Sequence, residues 1–309
     1  TNIKIIFFNK FKVIGMFIPL IKYLIKQKPD LIFSAEDHLN IITTLACIVT
    51  FSNAKISTSS RVTPLDTYKN SNIIFSKSWF LKKLFPVVQW RADSMICVSK
   101  DMVSQYKKIF GKTKQINIYN VVKTEEALSR MKMKVSMKWF TKKKCPLIIA
   151  SGSLAEWKGF DDLIKAASIL DKKNINYKLV IIGNGPEKSA LNKLIKLYKL
   201  DKKVLILKPV INTLKYFYNS DIFVLSSRVE GMPNVMIEAM MCGCTIVATN
   251  CLTGPKEILG KNEYGYLSKV NNPLDLSNNI IKALKKKISQ KKTKKILEKF
   301  TTDQVIKKH

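Results

Sequence analysis

The sequence predicts an α/β protein built from two doubly wound domains, and three observations carry that prediction. Short apolar runs alternate with helix-like segments, the pattern of parallel sheets covered by helices. The alternation stops over residues 123–145, a stretch rich in Lys and Met and without Gly, and then resumes. A chain of 309 residues with 46% hydrophobic content is long enough, and apolar enough, for two cores of ordinary size.

The elements follow in order. Residues 31–33 read as a strand after Lys28-Pro29-Asp30, 38–49 as a helix and 54–57 as a short strand. Residues 61–70 read as a loop. A helix over 79–92 carries Pro86 inside it, a strand covers 93–98, and a helix over 100–110 closes at Gly111. Residues 116–119 form the last strand of the first half. The second half predicts strands at 147–151, 178–182, 204–207, 221–225 and 245–248, with helices at 160–171, 187–198 and 212–219 between them. The predicted organisation is a first domain over 1–122, a helix-containing linker over 123–145, a second domain over 146–288 and a C-terminal helix over 289–309, the last expected to pack back toward the first domain. No internal repeat is visible beyond the βα rhythm.

Net charge is +32, from 54 basic and 22 acidic residues. The excess is shared by both halves, so no single tail accounts for it. Only Arg61, Arg91, Arg130 and Arg228 are arginines. A protein reading nucleic acid through bidentate forks uses more Arg than that, so no nucleic-acid partner is expected. The Lys excess instead suits phosphate-bearing substrates and peripheral contact with an anionic membrane. Residues 285–299 are densely basic and read as a solvated helix face. Residues 79–85 mix aromatics with lysines and read as a helix packing its apolar side on the sheet, with membrane contact as the alternative. Uncharged stretches at 13–21 and 38–54 are too short or too polar to span a bilayer. Lys4, Lys10 and Lys12 before an apolar run resemble a signal sequence weakly, without a small-residue cleavage site.

The six cysteines include Cys242-Gly243-Cys244 and Cys251, but no histidine is near them. They read as buried thiols rather than metal ligands. His38 and His309 alone build no metal site.

The most informative stretch runs from Ser227 to Ala239. Two carboxylates, Glu230 and Glu238, bracket Gly231-Met232-Pro233-Asn234-Val235. An apolar strand precedes them and an apolar helix begins between them, so the unit reads strand, turn, helix. Gly231 permits a close backbone approach, Pro233 suits the first helical turn, and Gly243 ends the helix. Backbone amides at a helix start suit a phosphate, and carboxylates suit sugar hydroxyls. Together they describe a nucleotide-sugar site.

These residues resemble glycosyltransferase family 4, retaining enzymes of the GT-B fold with two Rossmann-like domains around an interdomain cleft. Further matches are Gly152-Ser153-Leu154 with Lys158-Gly159-Phe160, Gly183-Asn184-Gly185-Pro186-Glu187, Ala92-Asp93 with Ser99, and Asn120-Val121-Val122. Residues 250–259 look like the branch that builds bacterial surface and lipid-linked glycans, lipopolysaccharide and capsule among them. The resemblance covers about residues 20–300. It implies a hexose or N-acetylhexosamine moved from a UDP-linked nucleotide sugar to a glycan or polyprenyl-linked acceptor, with no cofactor and no metal. It assigns the leaving diphosphate to Lys158, the transferred sugar to Glu230 and the ribose hydroxyls to Glu238. It places the donor among the backbone groups of Gly231, Met232, Pro233, Asn234 and Val235, with Gly152 and Ser153 beside it. Ser153 stands where the family often has Arg. The family's first strand with its Gly-rich loop is not in this sequence, so the N-terminal domain is expected to lack roughly its first 60 residues, judged by typical domain size. Arg61 is the candidate contact for an anionic acceptor, and Glu257 a candidate facing the cleft. The resemblance places the enzyme at the inner face of the cell membrane.

Three other readings are weighed. A sugar-nucleotide epimerase of the same fold needs further acid and base groups. A non-enzymatic basic binder of nucleic acid lacks motifs. A dinucleotide dehydrogenase fails because position 188 is Lys, where the third glycine of G-x-G-x-x-G belongs.

Overall fold

The computed structural model describes residues 5–9, 12–142 and 144–308. Lys4, Lys10 and His309, named above, lie outside the described residues. The chain forms two compact units, one ending at Ile118 and the other beginning at Tyr119.

The first unit runs α1 (Phe17–Gln27), β1 (Leu31–Ala35), α2 (Asp37–Val49), β2 (Lys55–Ser60), α3 (Pro64–Thr67), α4 (Lys77–Arg91), β3 (Ser94–Cys97), α5 (Lys100–Phe110) and β4 (Gln115–Asn117). The described strands form one parallel sheet in the order β1-β2-β3-β4. Ser76 and Ser99 cap α4 and α5, accepting from the amides of Trp79 and Met102. The stretch 61–70, expected to be loop, contains α3, because Pro64 presets the backbone for a helical first turn. Phe85, Tyr106, Phe110 and Tyr68 pack ring against ring beneath these helices, Phe85 and Phe110 with centroids 4.0 Å apart. Beside them Asp37 is buried. Ser60 Oγ donates to its Oδ1 at 2.6 Å, and the hydroxyls of Tyr68 and Tyr106 donate to its Oδ2 at 2.7 and 2.6 Å. A buried carboxylate demands such partners.

The second unit opens with α6 (Glu125–Met131) and α7 (Lys138–Thr141). The stretch expected to be a linker therefore belongs with this unit. Phe140 sets its ring edge-on to Tyr216, and Asn212 Nδ2 donates to the Arg130 carbonyl. There follow β5 (Leu147–Ser151), α8 (Phe160–Lys172), β6 (Lys178–Ile182), α9 (Lys188–Leu197), β7 (Val204–Leu207), α10 (Leu214–Tyr218), β8 (Ile222–Leu225), α11 (Asn234–Met241), β9 (Thr245–Thr249), α12 (Pro255–Leu259), β10 (Tyr266–Ser268), α13 (Pro273–Lys285), α14 (Gln290–Leu297) and α15 (Thr302–Ile306). The described strands form a parallel sheet ordered β10-β9-β8-β5-β6-β7. β8 and β9 are buried along their whole length, as strands covered on both faces must be. α8 buries Phe160, Leu163, Ile164, Ala167 and Leu170 and leaves its lysines out.

The C-terminal stretch is broken into α14, a 3-10 turn and α15. It packs within its own unit: the Phe300 carbonyl accepts from the amides of Val122 and Lys123. Among the described residues no helix is long and apolar enough to cross a membrane.

Candidate active site in the second unit

β5 lies between β6 and β8, so the strand order reverses beside it. The loops leaving β5 and β8 meet at this switch point, the place where open parallel sheets hold ligands. All donor-side residues picked out by sequence sit on these two loops or on α11, while the acceptor-side candidate Arg61 stands in the first unit, exposed after β2.

Gly152 and Ser153 follow β5. The chain then makes a 3-10 turn, Glu156–Lys158, and enters α8 through Gly159 at φ 61°. A side chain at 159 would run into the carbonyl of Ser226, so glycine lets the two loops touch. Across that contact Lys158 Nζ donates to Glu230 Oε1 at 2.6 Å, and both side chains are largely withdrawn from solvent. Ser227 Oγ donates to the same oxygen at 2.6 Å. The Thr253 hydroxyl holds the Glu230 carbonyl. Carboxylate and backbone are thus fixed independently.

α11 begins at Asn234 with Pro233 as its N-cap, one position earlier than the first-turn place expected for that proline. Asn234 N donates to Met232 O and Met236 N to Pro233 O, which closes the turn around Pro233. Asn234 Oδ1 accepts from Asn120 Nδ2 at 3.0 Å. Gly231, Met232 and Pro233 are buried, and Val235 is half-buried. Glu238 lies one turn into α11, half-buried, and burial holds its carboxyl above the usual range while the Arg130 charge pulls it the other way. Arg130 is anchored by a bond from Nη2 to Ile211 O at 2.8 Å.

A pocket of about 240 Å³ adjoins the β5 loop, lined by Gly152, Ser153, Gly183, Asn184, Val210 and Thr213 among others. The Glu257 carboxylate accepts from the Tyr119 hydroxyl. Cys242, Cys244 and Cys251 are buried thiols outside any disulfide, and burial pushes Cys242 and Cys251 up to about 12. Among the described residues no group of three His, Cys, Asp or Glu is placed to hold a metal ion.

Three residues of this arrangement escaped the sequence. Ser227 stands three positions before Glu230 and was readable as a loop hydroxyl. Thr253 and Arg130 carry no local signal, since each meets its glutamate only through the fold.

A family model described as glycosyl transferases group 1 matches residues 132–300. A curated relative from Methanocaldococcus jannaschii, named as an uncharacterized glycosyltransferase, is 29% identical over 293 residues, 86% of this chain and 70% of its own length. Another, from Campylobacter jejuni, is 30% identical over 237 residues, 75% of this chain and 60% of its own length. Its name is N-acetylgalactosamine-N,N'-diacetylbacillosaminyl-diphospho-undecaprenol 4-alpha-N-acetylgalactosaminyltransferase. Among solved structures, Anabaena HepE in complex with UDP and glucose superposes with a TM-score of 0.77 at 16% identity, over 97% of this chain and 82% of that one. That likeness shows the fold, GT-B.

Proposed function

The chain belongs to the glycosyl transferases of group 1 and is a transferase enzyme, and from that premise we propose a retaining sugar transfer of the family 4 type from a UDP-sugar. The observation that carries the proposal is the Lys158–Glu230 pair at the switch point beside β5 and β8. A flexible ammonium beside a carboxylate offers one group for a leaving diphosphate and one for a sugar.

In this reading Lys158 moves from Glu230 to the diphosphate and stabilises the charge that builds there as the glycosidic bond breaks. Glu230, held by Ser227 and Thr253, keeps its place and accepts hydroxyls of the transferred hexose or N-acetylhexosamine. Glu238 accepts the ribose hydroxyls. The pocket beside Gly152 and Gly183 takes the base. Backbone amides from Gly231 to Val235 complete the contacts to sugar and phosphate. Because Lys158 supplies the cation at the leaving group, the reaction is proposed to need no metal, and added chelator leaves the rate unchanged. The acceptor is proposed to be a glycan or a polyprenyl-linked sugar, approached by Arg61, with the enzyme at the inner membrane face. A lipid-linked acceptor is supported by the name of the Campylobacter relative.

The test is UDP release from a panel of UDP-sugars with a glycan or polyprenyl-linked acceptor. Lys158→Ala lowers kcat by about 100- to 1,000-fold, the scale of losing one aimed charge-stabilising donor. Glu238→Ala raises the Kd for UDP by about 10- to 100-fold. Full activity in both variants overturns the assignment. Donor converted to an epimer without acceptor overturns the transfer reading.

A further inference from the structure

The loop that carries Lys158 is short and lies on the surface. Its shape therefore depends on what it is tied to. The ties converge on Arg228, two positions before Glu230. Arg228 N donates to Trp157 O at 2.7 Å, and Nη1 donates to Glu156 O. Nη2 reaches Asp161 Oδ1 at 2.9 Å, Asp161 Oδ2 at 3.0 Å and Asp162 Oδ2 at 2.9 Å, on the first turn of α8. Nε donates to Asn271 Oδ1 at 2.7 Å. One guanidinium thus grips the chain on both sides of Lys158, while its own backbone belongs to the loop that presents Glu230. Ser226 Oγ adds a bond to the Lys158 carbonyl at 2.8 Å.

The acidic partners do not explain this by themselves. Lys165 already pairs with both Asp161 and Asp162, at 3.0 and 3.3 Å. Two carboxylates facing one lysine leave room for a second cation, but a lysine would satisfy the charge. Four separate acceptors in different directions call for the planar fork of Arg, with five donors in fixed geometry.

We propose that Arg228 is a positioning residue, which fixes the Lys158 loop against the Glu230 loop so that only the Lys158 side chain, and not its loop, moves to reach the leaving diphosphate. The proposal rests on the transferase reading for its chemistry. A cation displaced by an ångström loses most of its effect on a charge that develops only in the transition state. The loss therefore falls on kcat more than on donor KM.

The experiment compares Arg228→Lys and Arg228→Gln with wild type in the full chain. Both variants are expected to keep the far-UV spectrum. Arg228→Lys is expected to lower kcat about tenfold and Arg228→Gln further, with donor KM changed less than threefold. In a Lys158→Ala background, Arg228→Gln is expected to cost less than twofold more, because the group it positions is gone. A loss that multiplies in full with Lys158→Ala, or a kcat within twofold of wild type, overturns the proposal. Amide exchange separates this outcome from failure of the transferase reading. If wild type transfers no sugar, residues 155–159 must still exchange faster in both Arg228 variants while β5 and β8 stay protected. Unchanged exchange there overturns the clamp, whatever the enzyme's chemistry.

Discussion

Lys158 and Glu230 neutralise each other across 2.6 Å, so a diphosphate binding there competes with a carboxylate for the ammonium. Glu238 is a different case. Burial penalises its charge and Arg130 only partly offsets that, so its carboxyl sits above the ordinary range. A raised carboxyl pKa means that ionising the group costs folding free energy at neutral pH, and the cost disappears as pH falls through the folded value. Binding of ribose by the ionised form follows the opposite course and is lost through that same window. UDP affinity, measured by calorimetry from about pH 7 down to about pH 4, is expected to fall at a higher pH than an ordinary Glu, near 4.3, would give. Glu238→Gln is expected to raise Tm at neutral pH while weakening UDP. Affinity that stays flat down to the ordinary Glu range contradicts this. The two glutamates stand out in the sequence by their fixed spacing, and Lys158 by the separate Lys158-Gly159-Phe160 match. Arg130 does not, since more than a hundred positions separate it from Glu238 and only the docking of α6 beside α10 brings it near.

Elements were legible wherever a local rule decides them. Gly111 ends α5 as its sequence position announces, and the apolar runs of β5, β6, β8 and β9 suit a buried parallel sheet. The differences have physical causes. Residues 123–145 read as linker because α6 and α7 are short and polar, and they are held by contacts such as Arg130 to Ile211 and Phe140 to Tyr216 that no local pattern encodes. α3 is one turn long, and Thr63-Pro64 was its only signal. The turn into α8 yields a prediction at this scale. Gly159→Ala puts a Cβ against the Ser226 carbonyl at a left-handed φ. It is expected to destabilise the second unit by about 1–3 kcal/mol and to move Lys158 away from Glu230. Chemical denaturation and the transfer rate both report it, and a variant with unchanged stability would show that the loops separate freely.

For the whole molecule, the alternation of strands and helices, and the break in it, sufficed for two doubly wound units; strand order did not follow from it, because pairing is settled by packing between distant segments. The charge of +32 acts at this scale too. Lys291, Lys292, Lys294 and Lys295 are exposed on α14, and lysines are spread over both units. Co-sedimentation is expected to show binding to vesicles rich in anionic lipid and not to neutral ones, with release at about 0.5 M salt, where screening leaves only a few ångströms of reach. Equal binding to neutral vesicles would point to an apolar contact instead. One last feature belongs to the first unit. Tyr68 and Tyr106 spend their hydroxyls on buried Asp37, and burial together with that charge drives both far above the usual phenol range. In the unfolded chain they ionise near pH 10, so alkali favours unfolding, which releases their protons. The tyrosinate absorption band then becomes a built-in optical reporter: these two phenols colour only when the ring cluster of the first unit opens.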